Sequence, residues 1–146
     1  MQIGVETSRA VENKRIFVVV GDEIIRSALQ FMLHDENETH ELADLEQAYA
    51  KGVEWKPDLL LLGLDIAREQ GLGALAEIAA RLPGAKVLLV ADTAEDALVQ
   101  SCLQAGAYDV LVKPITVESV RYKVDVLLGR SKAPLIPLGV LMPAAR

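Results

Sequence analysis

Asp22, Asp65 and Lys113 each stand just beyond an apolar run of strand length. Asp22 follows Gly21 after the run ending at Val20, Asp65 lies two residues past Gly63, and Lys113 follows Val112 and precedes Pro114. Carboxylates in such places can hold a hard divalent cation, attack a phosphoryl group or cap a helix, and a lysine can pair with them. Other groups are poorer candidates. His34 and His40 have no partner at metal-ligand spacing and read as surface or loop residues. Cys102 is the one cysteine, which excludes an internal disulfide framework and a thiolate cluster within the chain. It falls on the apolar side of its predicted helix beside Leu98 and Ala105, as a small core residue would. The run Gly71-Leu72-Gly73 lacks the third glycine of a dinucleotide fingerprint and follows a loop rather than a strand. A flavin site would need a phosphate-cradling loop after the first strand, where Gly21-Asp22-Glu23 presents carboxylates instead.

The elements that must position these residues alternate. Arg15 to Val20 is a β-branched apolar run that suits a strand buried on both faces. Asp22 can cap a helix with Ile24, Ile25, Ala28, Leu29, Met32 and Leu33 on one side. Thr39 to Ala43 is a second strand, and Asp44 caps a short helix that Gly52 terminates. Pro57 introduces a third strand ending at Gly63, followed by a loop to Gly71 and a helix marked by Leu72, Leu75, Ile78, Ala79 and Leu82. Lys86 to Ala91 is the fourth strand, and Thr93 with Asp96 resembles a capping box opening a helix through Gln104. Tyr108 to Val112 is the fifth, and Thr116 caps a helix carrying Val117, Val120, Val124, Leu127 and Leu128. Strands that are apolar throughout, alternating with helices, predict a doubly wound α/β domain with a parallel sheet covered on both faces. In such sheets chemistry sits beyond the carboxyl ends of the strands. That rule gathers Gly21, Asp22, Gly63, Asp65, Val90, Ala91 and Lys113 at one edge.

Composition narrows the function further. The chain has 146 residues, 51% of them hydrophobic, enough for one domain with a sizeable core. Its net charge of −6 opposes the electrostatic attraction that dominates non-specific nucleic-acid binding, so no direct nucleic-acid partner is expected. No run approaches the ~20 apolar residues of a membrane-spanning helix. The polar start, MQIGVETSRAVENK, has no export pattern, and a reducing cytoplasm is the expected location. Residues 1–14 form a polar extension, residues 15–130 the folded domain, and residues 131–146 an apolar tail containing Pro134, Pro137 and Pro143. That tail has two readings, an arm packed on its own domain, or a docking segment or homodimer arm covering an apolar patch.

Three segments resemble the receiver domains of bacterial two-component response regulators. They are VVVGDEIIRSAL from Val18, PDLLLLGLDIAREQGL from Pro57 and GAYDVLVKP from Gly106, and their order and spacing cover residues 15–130. The resemblance implies a flavodoxin-like (βα)5 sandwich with strand order 2-1-3-4-5, and a cis peptide bond before Pro114. It also implies a site built from two acidic residues that bind Mg²⁺, an aspartate nucleophile at the end of the third strand, a hydroxyl at the end of the fourth, and a lysine. The matching positions here are Gly21 and Asp22, Gly63, Val90 and Lys113.

These departures set the expectation of function. Glycine at 63 has no oxygen to accept a phosphoryl group. Asp22 alone is an insufficient ligand set for Mg²⁺, so no cofactor is expected and any Mg²⁺ binding should be weak. Val90 cannot hydrogen-bond a phosphoryl oxygen. Lys113 is expected to pair with Asp22 or to be solvated. The chain is therefore expected to be a non-enzymatic, phosphorylation-independent receiver that acts by protein contacts. Its expected partner is a histidine kinase, an output protein or another regulator. The alternatives are a receiver phosphorylated on a relocated aspartate, Asp65 or Asp22, and a small-ligand sensor using the emptied crevice.

Overall fold

The computed structural model describes residues 14–130. The N-terminal extension up to residue 13 and the proline-containing tail 131–146 lie outside the described residues.

Among the described residues eleven elements follow one another: β1 (Arg15–Val19), α1 (Glu23–Leu33), β2 (Glu38–Leu42), α2 (Leu45–Gly52), β3 (Leu59–Gly63), α3 (Leu64–Gln70), α4 (Gly73–Arg81), β4 (Lys86–Ala91), α5 (Ala97–Ala105), β5 (Asp109–Val112) and α6 (Val117–Leu127). The strands form one sheet in the order β2-β1-β3-β4-β5, with every neighbouring pair parallel. The doubly wound α/β architecture and strand order expected from the sequence are therefore present.

Side-chain alternation along each strand separates the core into two faces. Phe17, Val19, Leu60, Leu62 and Leu89 pack with residues of α2, α3, α4 and α5, including Ala48, Ala67, Ile78 and Cys102. Ile16, Val18, Leu59, Leu61, Leu88 and Leu111 pack on the other face with Leu29 and Leu33 of α1 and Val120 and Val124 of α6. All five residues of β3, in the centre of the sheet, are buried. That central strand ends at Gly63 and fixes where the site lies.

Two expectations about the elements need correction. Residues 64–70 form a helix, not a loop: Leu64, Ile66 and Ala67 are buried against the core, and Gly71 ends the turn at φ 85° with its N–H donating to the Ala67 carbonyl at 2.8 Å. Seven residues are too few for a helical period to stand out in the sequence, but their burial suffices to stabilise the turn. The helix α5 starts at Ala97, later than a Thr93 cap would place it. Its N-cap is Asp96, whose side chain accepts from the Leu98 N–H, while the Thr93 hydroxyl accepts only from the Glu95 N–H at 3.2 Å. Thr116 caps α6 as expected, in a reciprocal box with Ser119.

His40 falls within the second strand expected from the sequence, not in a loop. It lies on β2, half-buried, with Nε2 2.8 Å from Glu38 and its ring edge-on to Phe17. His34 follows α1 and is exposed. Cys102 is fully buried as expected, and that burial, with Asp96 nearby, pushes its thiol pKa up.

Candidate functional site

The carboxyl ends of β1, β3, β4 and β5 border an open cleft of about 310 Å³. Val20, Gly63 and Val90 line it where the resemblance implies carboxylates and a hydroxyl. Gly63 is the last residue of β3 and pairs in register with Val90 of β4. A Cβ built on Gly63 would stand 3.3 Å from Cα and 3.4 Å from Cγ1 of Val20, the residue that follows β1. Val20 thus belongs to the site, although sequence reading had singled out its neighbours Gly21 and Asp22.

Asp22 faces the cleft as the N-cap of α1. Its Oδ1 accepts from the N–H groups of Ile24 at 2.9 Å and Ile25 at 3.2 Å. Two otherwise free donors of the first helical turn are satisfied this way, and the negative charge sits at the positive end of the helix dipole.

Lys113 and Pro114 occupy the corner after β5, joined by a cis peptide bond. The ammonium of Lys113 pairs with Asp92 at 2.9 Å. The expectation was a pair with Asp22 or a solvated ammonium, and the difference has a simple source: Asp92 follows directly on β4, the strand adjacent to β5, and Asp22 is held by its helix. The hydrogen bond to Asp92 raises the Lys113 pKa; burial opposes the rise, and the charges of Asp92, Asp22 and Asp65 add to it.

Asp65 is an exposed residue on the first turn of α3, and its carboxylate turns back toward Gly21 and Gly63 at the ends of β1 and β3. Its Oδ1 accepts from the Ile66 N–H at 2.7 Å. The same oxygen overlaps the position a Cβ on Gly63 would take, and Oδ2 lies 2.6 Å from where a Cβ on Gly21 would be. Three residues on, Arg68 reaches the far wall and pairs with Asp96. Asp96 accepts from the Leu98 backbone N–H and from Arg68, and both bonds hold its carboxyl below the usual aspartate pKa.

The structure therefore brings Gly21, Asp22, Gly63, Asp65, Val90, Lys113 and Pro114 to one sheet edge and adds Val20, Arg68, Asp92 and Asp96. Asp92 was accessible to the strand-end rule, because it directly follows Ala91. Arg68 was not, because its relation to Asp65 depends on residues 64–70 being helical. Among the described residues no group of three or more His, Cys, Asp or Glu side chains is placed to hold a metal ion.

Residues 16–125 match the response regulator receiver domain family. The chain belongs to that family. It is thus a receiver domain of two-component signalling. Similar curated proteins include the transcriptional regulatory protein PdtaR of Mycobacterium tuberculosis, 29% identical over 119 residues, a match covering 80% of this chain and 58% of PdtaR. Another is the chemotaxis protein CheY of Listeria monocytogenes, 35% identical over 74 residues, covering 51% of this chain and 62% of that one. The receiver thus spans about half the length of several of the curated relatives it matches, PdtaR among them. Among solved structures, a response regulator from Thermotoga maritima superposes with a TM-score of 0.72 at 20% identity, over 80% of this chain and 98% of that one. The receiver domain of the Pseudomonas aeruginosa sensor histidine kinase PA1611, which has a magnesium ion coordinated in its active-site cleft, gives 0.69 at 22% identity, over 80% and 98% of the two chains. At these identities the two structures establish a shared fold. Among the described residues no helix of this receiver is long and apolar enough to cross a membrane.

Proposed function

We propose that this receiver signals without accepting a phosphoryl group at residue 63, through contacts with another signalling protein: a histidine kinase, an output protein or a second regulator. The observation that carries this reading is Gly63 itself, at the end of the central strand with Val20 and Val90 beside it. A covalent aspartyl phosphate needs a carboxylate there, and transfer needs charge stabilisation around the moving phosphoryl group. Glycine and two valines supply neither. Mg²⁺ asks for near-octahedral oxygen ligands, and the donor set does not fit it. Asp22 Oδ1 caps α1, Asp65 Oδ1 bonds Ile66, and Asp92 pairs with Lys113. In this reading the domain has no enzymatic step, takes no cofactor, contacts no nucleic acid and works in the cytoplasm.

The contact surface we infer is formed by α5, β5 and α6. Tyr108, Tyr122 and Val126 are exposed there, and Lys86 lies over the Tyr108 ring at 5.5 Å. Exposed aromatic side chains next to a cation are the composition that protein interfaces favour.

A second reading has one specific observation in its favour. Asp65 places carboxylate oxygens where a side chain on residue 63 would begin, so a phosphodonor entering the cleft would meet Asp65 first.

Intact-mass spectrometry and thermal melting of the full chain with Mg²⁺ and either acetyl phosphate or beryllofluoride separate the two. The expected result is no gain of a phosphoryl group and no rise in Tm. An adduct that disappears in Asp65→Ala would overturn the phosphorylation-independent reading and make Asp65 the acceptor.

A further inference from the structure

The helix α3 touches both walls of the cleft. From its first turn Asp65 fills the volume that side chains on Gly21 and Gly63 would use, and from its next turn Arg68 holds the N-cap of α5. Neither glycine is dictated by backbone conformation. Gly63 has φ −65° and ψ 138°, open to any residue, and Gly21 is not among the left-handed glycines, which are Gly71, Gly84, Gly106 and Gly129. What distinguishes positions 21 and 63 is space, and one carboxylate occupies it.

We propose that α3 is a strap joining the emptied acceptor site to α5. Asp65 is its anchor, seated in the volume shared by positions 21 and 63, and Arg68 is its clasp, fastened to the carboxylate that caps α5. Asp96 is well suited to the second role. It accepts from Leu98 N–H at 2.9 Å with one oxygen and pairs with Arg68 through the other, so the guanidinium orients the cap. Val90 at the end of β4 has no hydroxyl through which the strand could report on the cleft. The strap is a connection that bypasses that position: a change in the seating of Asp65 shifts α3, and Arg68 passes the shift to the first turn of α5. The inference rests on the reading above, in which residue 63 takes no phosphoryl group.

The anchor is the movable end of a side chain, so adding a methyl group at 63 displaces the Asp65 carboxylate and asks Val20, whose Cα would stand 3.3 Å away, to give by a few tenths of an ångström. That makes a non-additivity test available. Amide hydrogen exchange on the full chain would be compared for Gly63→Ala, Asp65→Ala, the double variant and Arg68→Ala. Gly63→Ala is expected to speed exchange in α3 and at Leu98 and Val99. In the Asp65→Ala background the same substitution is expected to change exchange in α3 and at Leu98 and Val99 no further, leaving only a local effect at Val20, whose Cα would stand 3.3 Å from the added methyl. Arg68→Ala is expected to raise exchange at Leu98 and Val99 roughly two- to fivefold, the scale of an exposed ion pair, and to abolish the further effect of Gly63→Ala there. Additive effects of Gly63→Ala and Asp65→Ala would overturn the anchor. Unchanged exchange in α5 on Arg68→Ala would overturn the clasp. A phosphoryl adduct on Asp65 would instead overturn the underlying reading and leave the exchange pattern as it is, so the two failures are distinguishable.

Discussion

The corner after β5 and the ends of β1 and β3 lie on the same sheet edge and have diverged to different degrees. At the β5 corner the chain has what its family would lead one to look for: Lys113, a cis bond to Pro114, and Thr116 and Ser119 closing a capping box on α6. At the ends of β1 and β3 the residues are Val20, Gly21 and Gly63, with no carboxylate among them. The difference teaches which constraints belong to the fold and which to chemistry. A turn, a cap and a buried strand are needed for the sheet to close whatever the domain does. A nucleophile at the end of β3 supports no packing, and its place can be given to Gly63 while Leu59 to Leu62 remain fully buried.

Substitutions can break or sharpen that contrast. The largest effect is expected from Leu61→Ala in the centre of β3: a fully buried leucine lost there should cost about 2–5 kcal/mol by denaturant unfolding. A loss below about 1 kcal/mol would show that β3 is no more constrained than the cleft it leads to. Asp22→Ala should come next, at about 1 kcal/mol, because it removes the acceptor for two amides at the start of α1. Asp22→Asn should recover most of that stability, since asparagine also caps; failure to recover it would mean that the charge of Asp22 matters for something besides the helix.

Acid should probe the α5 cap. The Asp96 pKa is lowered in the fold, so its contribution is present above the ordinary aspartate value of 3.8 and is lost as pH falls through the lower folded value. Asp96→Asn should flatten the stability curve in that acid window and leave it unchanged near neutrality relative to its own plateau. The smallest effect is expected from Lys113→Met, at roughly 0–1 kcal/mol, because the ion pair with Asp92 is largely exposed. The Lys113 pKa is raised, so whatever the pair contributes is present below the ordinary lysine value of 10.5 and is lost as pH rises through the higher folded value. A large loss on Lys113→Met at neutral pH would place Lys113 with the structural corner.

The sheet was legible because four apolar runs separated by helical periods leave few alternatives, β2 with its sequence Glu-Thr-His-Glu-Leu being the exception, and the site's location followed from topology. What the sequence does not display depends on packing and on side-chain reach that no local pattern encodes. The helix at 64–70 depends on burial of Leu64, Ile66 and Ala67, which no seven-residue window displays. The pairing of Lys113 with Asp92 depends on β4 and β5 being neighbours in the sheet and on Asp22 being occupied by α1. The return of Asp65 onto Gly21 and Gly63 is visible in no periodicity at all, because it runs along the chain in one case and between strands in the other.

The burial of Cys102 has a practical side. A sulfur with no solvent exposure and an elevated pKa presents almost no thiolate to an electrophile, so the folded domain should behave toward maleimides and iodoacetamides as though it contained no cysteine. A cysteine introduced at Tyr108 or Tyr122 would then be the one reactive thiol of the fold. Fluorescent or spin labels could report on the α5–β5–α6 face with the native core untouched.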